Sequence, residues 1–102
     1  MYRASDRVAN EEWVETLRTA GDDLGLDEET LSTATDLFLS HVPETDRSKA
    51  TTAAASLYAA ALIRGQERSQ SAVADAMGVT RLSVQQHWKP ILQSAGFEPP
   101  TW

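Results

Sequence analysis

The sequence predicts an all-α fold on three observations. Apolar residues recur at helical spacing in every long segment, and no run of alternating β-branched residues is bounded by hairpin turn signals. One stretch, ATTAAASLYAAALI, is small or apolar almost all the way round, which is the pattern of a helix buried on every side. A chain of 102 residues is one domain of this class, folding roughly two-thirds of its unfolded surface out of water.

The first helix opens at Asn10, with Glu11 and Glu12 in the first turn where the helix dipole favours acids. Its apolar face is Trp13, Leu17 and Ala20, and Gly21 is the expected stop. The second begins at Asp27, whose carboxylate can cap free amides, with Leu26 and Leu31 spaced as a hydrophobic staple. Leu31, Ala34, Phe38 and Val42 form its stripe, and Pro43 ends it, leaving PETDR as a polar linker. The third helix runs from about Ser48 to Arg64; its alanines let neighbours approach closely, so it is central.

The segment RSQSAVADAMGVTRLSVQQHWKPIL carries the most information. Ser69 can cap a short helix holding Val73, Ala76 and Met77, Gly78 supplies a left-handed stop, and Thr80 can cap the next helix after a tight turn. That is the layout of a helix-turn-helix, expected within residues 69–94, whose second helix lies in the DNA major groove. On this helix Val84, Trp88, Ile91 and Leu92 share one face; Leu82, Ser83, Gln86 and Lys89 share the other, with Arg81 and Gln85 at its margin. The outer face has groove-reading chemistry: Gln pairs bidentately with adenine, Arg with guanine, and an aliphatic side chain meets a thymine methyl. Lys89, Arg64 and Arg68 are candidate phosphate contacts. Pro90 is expected to bend the helix or end its regular part near Lys89. Residues 1–9 form an N-terminal arm, the domain spans 10–96, and FEPPTW is a Pro-rich tail at 97–102.

The net charge of −6 argues at first against nucleic acid. Its distribution reverses that: residues 1–46 carry twelve acids against Arg3, Arg7 and Arg18 for −9, and residues 47–102 carry Glu67, Asp75 and Glu98 against six bases for +3. Cys 0 excludes a disulfide framework, a thiolate metal site and a cysteine nucleophile. No apolar run approaches a membrane span and the N-terminus lacks the pattern of a signal peptide, so a soluble, cytoplasmic protein is expected. His41 and His87 have no serine–acid constellation or ligand spacing around them, and neither catalysis nor a cofactor is expected.

The stretches LGLDEETLSTA, RSKATTAAASLYAAALI, RSQSAVADAMGVT and LSVQQHWK, in this order and spacing, resemble one cyclin-like repeat of the transcription factor IIB family of archaea and eukaryotes. The resemblance covers roughly residues 10–95. It implies a five-helix fold with an alanine-rich central helix, and partners among promoter DNA, TATA-binding protein and RNA polymerase. It places recognition-helix contacts at Leu82 and Gln85, with Lys89 at a further basic position; the family typically has Arg where this chain has Gln85, so a different base preference is expected. Full-length family members carry a zinc ribbon and two repeats, and one repeat alone is not expected to act as a general initiation factor. With Lys49 and Lys89 the only lysines and Asp, Glu, Ala and Thr abundant, the composition resembles haloarchaeal proteins.

Two functions follow. The first is a DNA-binding transcription regulator, a homodimer in one version, reading duplex with residues 69–89 through Arg81, Leu82, Ser83, Gln85, Gln86 and Lys89. The second is an interaction module that docks on TATA-binding protein, polymerase or another IIB-like factor and touches no DNA.

Overall fold

The structure, a computed structural model, describes residues 10–42 and 46–97. Five helices lie among them: α1 (Glu11–Asp23), α2 (Glu28–Ser40), α3 (Asp46–Ile63), α4 (Gln70–Met77) and α5 (Arg81–Ser94). All four others pack against α3, and residues 52–61 of α3 are buried without a break. The reason is steric: Ala53, Ala54, Ala55, Ala59, Ala60 and Ala61 project nothing beyond Cβ, so helix axes come close from every direction. Each helix sends a large side chain to the centre: Leu17, Phe38, Leu57 and Val73 from α1 to α4, and Val84 with Trp88 from α5.

Several local expectations shift by a residue or more. On α1 the buried face is Val14, Leu17, Ala20 and Gly21, with Trp13 only half-buried at its edge. Gly21 therefore does not stop the helix; it belongs to the packed face. The stop is Gly25 at φ 74°, where the Leu26 N–H donates to the Gly21 carbonyl at 3.0 Å and the Gly25 N–H to Asp22 at 3.0 Å. A Cβ on Gly21 would run into a δ-methyl of buried Leu31, with Leu57 next at 3.5 Å. Gly21→Ala is expected to lower stability in urea unfolding even though alanine favours helix by about 1 kcal/mol, because overpacking costs about 1–3 kcal/mol.

Asp27 caps α2 as its position implied, accepting from the Thr30 amide at 2.9 Å. A second cap arrives from elsewhere in the chain. The Gln66 Oε1, on the α3–α4 connection, accepts from the Asp27 amide at 3.1 Å and from the Thr30 hydroxyl at 2.6 Å. The Thr30 amide, joined by its hydroxyl, holds the Asp27 carboxyl below its ordinary pKa of 3.8. A depressed carboxylate contributes stability above its unfolded pKa and loses it as pH falls through the folded one. The gap in urea midpoint between the protein and Asp27→Asn is therefore expected to narrow as pH is lowered from neutrality to below 3.8.

α2 closes at Ser40, before Val42, which lies half-buried beyond the helix; Leu37 and Leu39 join the stripe instead. Pro43 and the arm 1–9 lie outside the described residues, as do tail residues 98–102. α3 begins at Asp46, inside the stretch read as linker. α5 runs through Pro90 to Ser94 rather than ending near Lys89. Pro90 and Gln86 are both exposed, so the break that Pro90 makes in the helix hydrogen-bond pattern lies on the outer side, while buried Ile91 and Leu92 hold the last turn to the core.

Candidate nucleic-acid interface

The local sequence from Ser69 to Thr80 builds the site. Ser69 Oγ accepts from the Ala72 amide at 3.0 Å and opens α4, which buries Val73, Ala74 and Met77 and leaves Ala76 half-buried. Gly78 at φ 70° reverses the chain, a conformation that costs a residue with a Cβ. Thr80 Oγ1 then accepts from the Ser83 amide at 3.1 Å to open α5. Two helices joined by a tight turn result, each opened by a side-chain cap that bonds an amide three residues on.

Val84, Trp88, Ile91 and Leu92 form the inner face of α5, as their spacing implied. Trp88 is 1% exposed and meets the Tyr58 ring edge-on, with centroids 5.3 Å apart and planes at 73°. Burial raises the pKa of the Tyr58 hydroxyl, partly offset by its hydrogen bond with Gln70 on α4. Tyr58 thus ties α3 to both α4 and α5. A second link holds the far end: His41 Nδ1–H donates to the Leu37 carbonyl at 2.7 Å, and its Nε2 lies 2.6 Å from Ser94 Oγ. Anchored at its middle and at its C-terminal end, α5 turns its outer face away from the core.

On that face Leu82 stands 60% exposed and does not fold against the preceding turn. Arg81, Gln85, Gln86 and His87 are exposed beside it. Ser83 is partly spent, because its amide and hydroxyl both engage the Thr80 cap. Lys89 leans back, its Nζ 5.6 Å from the Trp88 ring centroid. The His87 Nδ1–H donates to the Ser83 carbonyl at 2.8 Å.

The two remaining candidates are placed elsewhere and already engaged. Arg68 donates from Nε to the Leu24 carbonyl at 2.8 Å, from one terminal nitrogen to Gln66 and Glu67 at 2.9 and 3.1 Å, and from the other to Gly25 at 3.5 Å. It stitches the α1–α2 corner to the α3–α4 corner and is half-buried there. Arg64 donates to Thr33 at 3.0 Å and pairs with Glu29 at 3.9 Å. With Ala95 and Phe97 it lines a shallow groove of about 310 Å³, at the opposite end of α5 from Arg81. The helix rise puts these ends about 20 Å apart.

Charge is divided by helix as well as along the chain. α1 carries Glu11, Glu12, Glu15, Asp22 and Asp23, and α2 carries Glu28, Glu29 and Asp36; α5 has no acid at all. α5 packs on α3 and α4, whereas α1 packs on α2, α3 and α4. No cluster of potential metal ligands occurs among the described residues, and no described helix is long and apolar enough to cross a membrane.

Sequence reasoning missed Gln66, the hydrogen bonds of Arg68 across two corners, Tyr58 and the His41–Ser94 contact. Each acts across more than ten positions of chain, and only Tyr58, a polar ring in an otherwise small-residue helix, carried a signal that it needed a partner.

Five helices around an alanine-rich centre, the last two joined by a tight turn, define a cyclin-like all-α repeat. The Transcription factor TFIIB repeat matches residues 14–94, and the chain belongs to that family, one of transcription factors. No curated protein matches the chain.

Proposed function

We propose that the protein is a transcription regulator that binds duplex DNA by laying the outer face of α5 in the major groove, α4 and the turn at Gly78 acting as the support. The observation that carries this reading is an acid-free, firmly anchored helix displaying a bare Leu82 beside Gln85 and Gln86. An α-helix fits the major groove, and these side chains reach base edges there. Arg81 and Lys89 supply the phosphate contacts. Two cations released against phosphate give a slope of about −2 for log affinity against log salt, shallow for a DNA-binding protein. Such weak salt dependence suits a setting of high salt, which the acidic, lysine-poor composition favours.

The test is fluorescence anisotropy on duplexes selected from a random pool. The double variant Gln85→Ala, Gln86→Ala is expected to lose about 1–3 kcal/mol of binding free energy per bidentate contact removed, with an unchanged urea midpoint because both side chains are exposed. Unchanged binding to the best duplex would overturn the reading.

The acidic surface of α1 and α2 favours a second reading: a module that docks on a basic protein partner, such as another factor of the initiation machinery, without DNA. Absence of duplex affinity at every salt concentration would select it. Dimerisation, which would set two copies of α5 side by side on a two-half-site operator, is tested by light scattering.

A further inference from the structure

We infer that the base-reading stripe of α5 recognises a short A·T-containing step, with a thymine methyl under Leu82 and an adenine under Gln86. This rests on the DNA reading above and adds the base class to it.

Each base shows its own pattern of groups in the major groove. Guanine presents two acceptors, adenine an acceptor beside a donor, cytosine a donor, and thymine an acceptor with a methyl group. A glutamine amide carries one donor and one acceptor side by side, which matches adenine twice and guanine only once. Cytosine is read by a carboxylate, and α5 has none. Leu82, 60% exposed, has nothing to offer a hydrogen-bonding edge and gains only from apolar contact; the thymine methyl is the one apolar group in the groove.

The cations do not occupy the centre of the stripe. Arg81 is about 140° from Gln86 around the helix axis, and Lys89 leans over the Trp88 ring. Leu82 and Gln86 lie one turn apart on the same face, a rise of about 6 Å. With base pairs spaced about 3.4 Å along each strand, the two side chains address positions within two base pairs of each other. The order thymine then adenine, on one strand or across both, is compatible with that spacing.

The experiment uses the full chain and a random duplex pool, followed by modified duplexes of the best sequence. Enrichment of A·T at two positions within one turn of the site is expected. Replacing the thymine by deoxyuridine removes only the methyl and should weaken the protein about fourfold, while leaving Leu82→Ala indifferent. Replacing the adenine by 7-deazaadenine should weaken the protein but leave Gln86→Ala indifferent, and Gln86→Arg should move the preference there to guanine by roughly 5- to 150-fold. Duplexes retained with G·C enrichment, with no preference, or with equal uracil sensitivity in the protein and Leu82→Ala overturn the inference and leave the DNA reading standing. Retention of no duplex at any salt overturns both.

Discussion

Trp88→Ala is expected to remove about 3–5 kcal/mol of stability, the largest loss from any single position considered. Trp88 is the largest fully buried side chain, and its ring lies edge-to-face with Tyr58 at 5.3 Å. Truncation therefore leaves a cavity between α3 and α5, which pack extensively on each other, and forfeits an aromatic contact worth about 0.5–1.5 kcal/mol. Against a total stability of about 5–15 kcal/mol for a domain of this kind, the variant sits near its unfolding threshold. Urea unfolding followed by far-UV circular dichroism measures it. Trp88→Phe keeps a ring for Tyr58 and should retain much of the midpoint; equal losses in the two variants would mean that packing volume at this site is irrelevant, contrary to its burial.

Arg68→Ala is the second large effect, about 2–3 kcal/mol, reasoned from several hydrogen bonds from a charged group at about 1.5–3 kcal/mol each and discounted because the side chain is only half-buried. Its guanidinium reaches carbonyls of Leu24, Gly25, Gln66 and Glu67, so one planar fork fastens two chain reversals. Arg68→Lys should recover little, since a single ammonium cannot span acceptors on both corners. The measurement also decides between the two roles this residue has carried. A stitch loses stability and, where still folded, binds duplex as before; a phosphate contact keeps its urea midpoint and loses affinity.

The pattern of what was legible follows from range. Asp27, Ser69 and Thr80 were readable as caps because each bonds an amide three residues on, and Gly78 because a left-handed stop after an apolar run needs no distant partner. The inner face of α5 was readable because helical periodicity sorts Val84, Trp88, Ile91 and Leu92 to one side whatever they meet. Gly21 and Gly25 show where this ends. Either glycine suits a helix stop locally, and the choice falls to Gly25 because Leu31, on another helix, occupies the space a side chain at position 21 would need.

The candidate site divides the same way. Periodicity places Gln85, Gln86 and Leu82 towards an outer face, but their exposure among the described residues is decided by what α5 packs against. Arg64 and Arg68 look equal to Lys89 as phosphate contacts in the sequence, where a cation is simply a charge. In the fold Arg68 meets carbonyls 43 and 44 positions back along the chain, and Arg64 meets Thr33 and Glu29. Local order thus settled the class of fold, the capped helix, turn and helix, and the chemistry available on α5. Tertiary structure alone decided which charges remain free to act, because a long flexible cation takes whatever acceptors the folded chain brings within its reach.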